Sequence, residues 1–243
     1  GVSSFDSTTR LTYDFLLFFS FMNYRFVQLV TDDTGLLNEP RTVFQESGRI
    51  RTNILFLKTH KTGSSTMQNI LIRFGLKNFL SVMVPDAGNY IGYLGPITSE
   101  SVNQILMPAN KKFNIFACHS RYHPNTMNFM HNDTIRITLL RYPPKSFESL
   151  FSFFSLHQRI KMTFRQLLKS LPNTSVNFTR VGFKEKSTNQ MCYDLGLIID
   201  EKTNDFIIQD FIRYLDKEFN FVMITEYFDA CLVLLADLMN WPL

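Results

Sequence analysis

A short apolar run that leads directly into a loop of hydroxyl residues, lysine and glycine is the part of this sequence best suited to chemistry. The run is Ile54–Leu57, and the loop reads Lys58-Thr59-His60-Lys61-Thr62-Gly63-Ser64-Ser65-Thr66. The first backbone N–H groups of a helix have no partner within it, and the helix dipole favours negative charge there. A helix that begins in this loop could therefore hold an oxyanion, with Lys61 as an added cation. A capped helix start without a ligand is the simpler alternative.

The order of residues in the loop argues against an ordinary ATP or GTP site. The phosphate loop of that class reads Gly-x4-Gly-Lys-Ser/Thr, with the lysine after the glycine. Here Lys61 precedes Gly63. The loop therefore predicts a phosphate site of a different kind.

A second strand-like run also leads into residues that bind anions. Residues 134–140 are mostly apolar, Arg141 follows them, and Ser149 lies about two turns after Arg141, in the next predicted helix. The planar fork of an arginine and the hydroxyl of a serine can clamp one phosphate together. Two such strand-loop-helix units predict a ligand with phosphates at both ends.

The alternation of apolar runs along the chain predicts the elements that would position these residues. Strands are expected over 53–57, 79–84, 113–118, 134–140 and 221–225, and helices over 65–74, 145–157, 164–171, 205–219 and 227–240. Strands that alternate with helices indicate an α/β fold with a mostly parallel central sheet flanked by helices. Ligands of such folds bind at the carboxyl ends of the strands.

Five separated blocks in the right order resemble the galactose-3-O-sulfotransferase family, and the resemblance covers about 51–243. The blocks are Phe56-Leu57-Lys58-Thr59-His60-Lys61-Thr62, Pro124, Asn132-Asp133-Thr134, Met191-Cys192-Tyr193-Asp194-Leu195-Gly196, and Glu226-Tyr227-Phe228-Asp229 with Leu235, Asp237, Leu238 and Trp241. The resemblance implies a P-loop-like sulfotransferase fold. It also implies 3′-phosphoadenosine 5′-phosphosulfate (PAPS) as co-substrate, and no metal.

By this resemblance, two groups of residues bind the nucleotide. Arg141 and Ser149 correspond to the pair that binds the 3′-phosphate. The 5′-phosphosulfate loop comprises Lys58, Lys61, Thr62, Gly63, Ser64, Ser65 and Thr66. The acceptor implied is the 3-hydroxyl of galactose on a glycolipid or glycan, and the location implied is the Golgi membrane, single-pass type II, with a lumenal catalytic domain.

Sulfuryl transfer needs positive charge on the departing phosphate and a base for the attacking hydroxyl. We assign the charge to Lys61. His119, in a segment similar to the His-bearing segment of uronyl 2-O-sulfotransferases, ranks first as the base, and His60 ranks second. A structural role in hydrogen bonding remains open for either histidine. A histidine base is expected to titrate near neutrality.

Composition limits the remaining possibilities. The net charge of +4 comes from 25 basic and 21 acidic residues without a basic run, which disfavours nucleic acid as a partner. The three cysteines lack Cys-x-x-Cys spacing, so they are either reduced or include one disulfide. The sequons at Asn132, Asn173 and Asn177 are compatible with a secretory lumen.

Residues 1–48 read as a leader and stem, and 49–243 as the sulfotransferase domain. Within the leader, 11–30 is apolar but interrupted by Asp14, Asn23 and Arg25, so it is either a signal anchor or a buried or poorly ordered segment. Because members of the family extend past Trp241, we expect the domain to be C-terminally incomplete.

Two other functions stay open at this point. A phosphoryl-transfer enzyme or nucleoside kinase would also place anion loops after parallel strands, although it would need magnesium ligands and the other loop order. A catalytically inactive Golgi protein of the same fold, which binds a glycan or a partner, is the second alternative.

Overall fold

The computed structural model describes residues 48–92, 95, 97–102, 106–170, 190–198 and 203–242. The predicted leader over 1–48 lies outside these residues except for Gly48, as do the sequons at Asn173 and Asn177. Within the described residues, no helix combines the length and the apolar character needed to cross a membrane.

Five parallel strands form one sheet in the order β2-β3-β1-β4-β5. The strands are β1 (Ile54–Leu57), β2 (Val82–Met83), β3 (Ile115–Phe116), β4 (Ile135–Leu140) and β5 (Phe221–Ile224). The predicted parallel α/β sheet is therefore confirmed. β2 is shorter than the predicted 79–84, because Phe79 has a φ of 55° and an almost fully exposed side chain, neither of which fits a strand.

The described part of the chain includes six α-helices with defined bounds: α1 (Ser64–Lys77), α2 (Pro143–Phe153), α3 (Leu156–Ile160), α4 (Phe164–Ser170), α5 (Asp205–Glu218) and α6 (Phe228–Leu238). Residues 190–194 are also helical. The single helix predicted over 145–157 is wrong in both bounds. It begins at Pro143, because proline is well suited to the first helical turn, and it stops before Ser155, which has a φ of 50°.

β1 lies at the centre of the sheet and is buried along its whole length. Such a strand is covered on both faces, which explains its unbroken apolar run. On one face α1 packs so closely that a Cβ on Gly75 would come within 2.9 Å of Ile115 and Val82. A smaller apolar cluster joins α2, α3 and α4 through Leu150, Phe151, Leu156 and Leu167.

The carboxyl ends of the parallel strands meet at one edge of the sheet. Lys58 follows β1, His119 lies three residues beyond β3, Arg141 follows β4 and Thr225 follows β5. β1 is also the point where the strand order reverses, with β3 on one side and β4 on the other. Ligands of open α/β sheets bind at such a point.

Candidate active site

The loop between β1 and α1 presents unbonded backbone N–H groups. No described residue accepts a hydrogen bond from the N–H of Gly63, Ser64 or Ser65, the residues where α1 begins. Gly63 has a φ of 79°, a left-handed conformation that glycine adopts without strain. The geometry is that of an open helix N-terminus, which favours an anion.

The hydroxyl side chains of this loop divide into two sets. Thr62 and Ser64 are buried, and their hydroxyls bond inside the loop; Ser64 Oγ donates to the Thr59 carbonyl at 2.7 Å. Ser65 and Thr66 are exposed on the first turn of α1. Thr62 and Ser64 can therefore offer an anion only their backbone N–H groups, whereas Ser65 and Thr66 can also offer hydroxyls.

Neighbouring strand ends hold the loop in place. The Thr225 hydroxyl lies 2.6 Å from the Thr62 carbonyl oxygen and 2.8 Å from that of Leu140. Arg141 donates from Nη1 to the Lys61 carbonyl at 3.0 Å, and the Thr59 hydroxyl donates to the carbonyl of Leu139. The loop is thus bonded to the ends of both β4 and β5.

Lys58 and Lys61 lie in this loop, and Arg141 lies beside it. None of these three cations forms an ion pair with a described carboxylate. Lys58 is buried and donates to Gln68 Oε1 at 2.7 Å, and burial lowers the pKa of its ammonium. The Lys61 ammonium lies 4.0 Å from the centre of the Phe153 ring, and burial, followed by the nearby Arg141, lowers its pKa. A bound anion would relieve the repulsion between Lys61 and Arg141.

His119 is held in one tautomer by the backbone. Its Nδ1 lies 2.7 Å from the carbonyl oxygen of Lys58, and because a carbonyl can only accept, Nδ1 carries the proton. Nε2 then has the lone pair, and no described residue hydrogen-bonds to it. Burial, together with His60 and Lys58, lowers the pKa of His119 to about 3. The expected titration near neutrality is therefore wrong for this histidine, which is neutral over the physiological range.

His60 is fixed by a buried carboxylate. Its backbone N–H donates to Asp194 Oδ2 at 2.8 Å, and its Nδ1 lies 2.9 Å from both carboxylate oxygens. Gln190 donates to Asp194 Oδ1 at 2.7 Å. On the other side of the ring, Nε2 lies 3.1 Å from the Tyr90 hydroxyl. Burial raises the pKa of the Asp194 carboxyl, an effect that the bonds from His60 and Gln190 oppose.

The two histidines share one stack of rings. The centroids of His60 and His119 are 4.2 Å apart with an interplanar angle of 22°, and the Tyr90 ring lies 5.1 Å from that of His119. The structure thus places both predicted bases side by side.

The comparison with known proteins shows the family of this chain. The family model described as galactose-3-O-sulfotransferase matches residues 9–243. The chain belongs to this family. It is 34% identical to the galactosylceramide sulfotransferase of Homo sapiens over 217 residues, which are 84% of this chain and 50% of that protein.

Two further relatives give the same result. Identity is 33% to galactose-3-O-sulfotransferase 2 of Sus scrofa over 82% of this chain and 51% of the relative. Identity is 32% to galactose-3-O-sulfotransferase 3 of Bos taurus over 78% of this chain and 45% of the relative. The chain spans about half the length of the curated relatives it matches.

Within this member of the galactose-3-O-sulfotransferase family, one predicted ligand is placed less decisively. Ser149 is partly buried in α2, and no hydrogen bond joins its hydroxyl to Arg141 or to any other described residue. Arg121, two residues after His119, donates to the carbonyl of Gly196 at 2.6 Å.

Sequence reasoning missed the partners of the site, namely Gln68, Tyr90, Asp194 and Thr225. The block that contains Asp194 was recognised as part of the family resemblance, but no role was assigned to the carboxylate. Its contact with His60 crosses 134 positions of the sequence, and no local pattern signals it. The described residues hold no group of three or more histidine, cysteine or acidic side chains placed to bind a metal.

Proposed function

We propose that this chain transfers a sulfuryl group from PAPS to the 3-hydroxyl of a galactose on a glycolipid or glycan by in-line displacement. The observation that carries the proposal is the set of three cations, Lys58, Lys61 and Arg141, which lie around an open helix N-terminus without an ion pair to any described carboxylate. Membership of the galactose-3-O-sulfotransferase family supports the choice of donor and acceptor.

The residues present fit a ligand with two phosphate groups. Unbonded N–H groups at the start of α1, with Lys58 and Lys61, suit a 5′-phosphosulfate, while Arg141 after β4 suits a 3′-phosphate. When bound, PAPS would supply the activated sulfuryl group and a phosphate leaving group. We assign to Lys61 the neutralisation of charge on that leaving group, because its ammonium is mobile and only partly buried.

The base is proposed to be His119. Its Nδ1–H donates a hydrogen bond to the Lys58 carbonyl, and its Nε2 lone pair can accept the proton of an acceptor hydroxyl. A pKa of about 3 keeps the lone pair available at neutral pH but makes the imidazole a weak base. His60 therefore remains the competing base, since the Asp194 carboxylate would stabilise a proton gained by its ring.

A Golgi location with a lumenal catalytic domain is also a proposal, supported by family membership and by the exposure of Asn132 in its sequon. Membrane association through the N-terminal segment is proposed on the same family basis.

The test combines binding with turnover on the full chain. Calorimetry measures binding of 3′-phosphoadenosine 5′-phosphate with and without magnesium, and a labelled-sulfate assay compares galactosylceramide, lactosylceramide and N-acetyllactosamine. We expect metal-independent binding and transfer to at least one acceptor. Lys61→Ala should lose turnover, whereas Lys77→Ala, at the exposed far end of α1, should not.

Other outcomes would favour the alternatives. A preference for ATP with magnesium would indicate phosphoryl transfer. Nucleotide binding without transfer to any acceptor would indicate an inactive protein of the same fold that binds a glycan or a partner. Absence of nucleotide binding would overturn the proposal.

A further inference from the structure

Asp194 is a buried carboxylate that contacts His60, the second of the two candidate bases. Its side chain is 1% exposed, and no described lysine or arginine forms an ion pair with it. A buried charge without a cationic partner is strongly unfavourable unless hydrogen bonds stabilise it. Among the described residues, His60 and Gln190 supply the hydrogen bonds that the carboxylate accepts.

The donors around Asp194 define its charge. The His60 backbone N–H and the Gln190 amide can only donate, so they favour an ionised carboxylate that accepts from both. The remaining contact, to His60 Nδ1 at 2.9 Å, is then a donated hydrogen bond with the proton on Nδ1. In a neutral ring the lone pair lies on Nε2, which faces the Tyr90 hydroxyl at 3.1 Å.

We propose that Asp194 is a positioning residue that holds His60 in its Nδ1–H tautomer, with the Nε2 lone pair directed at the Tyr90 hydroxyl. The tautomer follows from the contacts alone, whereas its effect on turnover rests on the proposed sulfotransferase function. A carboxylate that fixes one imidazole nitrogen also stabilises the ring when the other nitrogen gains a proton. Asp194 would thereby hold the His60 ring in a fixed orientation against His119, the proposed base.

The segment that contains Asp194, residues 190–198, also fixes the loop on which His60 lies. Because the carboxylate accepts from the backbone N–H as well as from the ring, it holds both parts of the residue. The segment is in turn attached beyond β3, where the N–H of Tyr122 donates to the Asp194 carbonyl at 2.8 Å. Gly196 approaches so closely that a Cβ on it would lie 2.9 Å from the Tyr122 carbonyl oxygen. Residues 190–198 thus connect the end of β3 to the phosphosulfate loop.

Several titratable groups face this pair and must be considered in any pH experiment. His119 stacks on His60 from the end of β3, and Tyr90 contacts the far side of the ring. Cys192, one turn from Asp194, is fully buried, and burial followed by the Asp194 charge raises the pKa of its thiol. Lys58 contacts His119 through its carbonyl. Variants are therefore compared at a single neutral pH.

The decisive measurement is the nitrogen-15 NMR spectrum of the histidine side chains of the full chain, with His60→Gln to assign the His60 signals. The wild type should show a proton on Nδ1 and none on Nε2. Asp194→Asn should shift His60 toward the Nε2–H tautomer, because the new amide can donate to Nδ1. Asp210→Asn, which changes an exposed aspartate on α5, is the matched control and should leave the tautomer unchanged.

Turnover then tests the positioning role. Asp194→Asn should lower kcat by about tenfold or more, while affinity for 3′-phosphoadenosine 5′-phosphate stays within about threefold. A variant that loses affinity and kcat in parallel would indicate a structural role only, and unchanged kcat with an altered tautomer would refute the effect on turnover.

The wild-type spectrum alone keeps the tautomer falsifiable if Asp194→Asn does not fold. A wild-type His60 protonated on Nε2, or on both nitrogens, would overturn the assignment. A wild type with the expected tautomer but no transfer activity would leave Asp194 as the orienting group of His60 and would refute only the proposed sulfotransferase function.

Discussion

The loop after β1 and the segment after β4 both contain the proposed anion ligands, but they are held very differently. Hydrogen bonds with Asp194, Thr225 and Arg141 fix the backbone of the first. In the second, the Ser149 hydroxyl has no hydrogen bond to a described residue. Fixed dipoles matter most where charge changes during a reaction, whereas a phosphate with constant charge needs only affinity. The difference indicates that the proposed chemistry belongs to the first region and ground-state binding to the second.

The largest effect should come from His119, which is bonded to the first region through the Lys58 carbonyl. His119→Ala should lower turnover by about 100- to 10,000-fold, because it removes the proposed base. Binding of 3′-phosphoadenosine 5′-phosphate should be unchanged by calorimetry. Since the pKa of His119 is about 3, wild-type turnover should not rise with pH near neutrality.

His60→Ala is the control for this assignment. If that variant loses more turnover than His119→Ala, the ranking of the two bases is reversed.

Lys61→Ala should have the next largest effect. Loss of one preorganised electrostatic group lowers kcat by about a hundredfold or more. Single-turnover kinetics with saturating donor would measure this step. If the variant keeps turnover within about threefold of wild type, Lys61 has no role in the chemical step. The proposed difference between the loop after β1 and the segment after β4 would then be wrong.

Arg141→Ala should act mainly on the affinity for nucleotide. Loss of a charged hydrogen-bonding group weakens binding by about ten- to a hundredfold. Because Arg141 also donates to the Lys61 carbonyl, a smaller fall in kcat should accompany the loss. A fall in kcat with full affinity would contradict the assignment to the 3′-phosphate.

The smallest effect concerns stability in acid. Unfolded His119 binds a proton below its ordinary pKa of 6.5, whereas the folded residue does so only near 3. The unfolded state therefore binds more protons in this window, and the free energy of unfolding should fall as pH falls, by about 1.4 kcal/mol per pH unit from this group. Denaturant titrations should show a shallower acid slope for His119→Gln. His157→Gln, an exposed control, should keep the wild-type slope.

Most of the fold was predictable because its signals are local. The apolar run of β1 and the periodic pattern of α1 each lie in consecutive residues; β1 forms within one residue of its predicted bounds, and α1 within three. The start of β2 and the end of the helix predicted over 145–157 were wrong because a left-handed backbone conformation interrupts the apolar pattern there. Neither the left-handed Phe79 nor the left-handed Ser155 is of a residue type that signals such a conformation.

The site was predictable in its charged residues but not in their connections. Lys61 and Arg141 follow strands in the sequence, and parallel topology brings those strand ends together. The stacking of His60 on His119 and the carboxylate behind His60 depend on contacts between distant segments. Single-sequence patterns carry no information on such pairings.

The three buried cysteines can report local opening in three different parts of the structure. Cys118 lies beyond β3, Cys192 beside Asp194 and Cys231 in α6, and none forms a disulfide. Burial raises the pKa of all three thiols, to about 11 for Cys118 and Cys231. Since only an accessible thiolate reacts with alkylating reagents, each cysteine is modified only when its surroundings open. Alkylation followed by peptide mapping would thus give separate opening rates for the sheet edge, the 190–198 segment and the last helix.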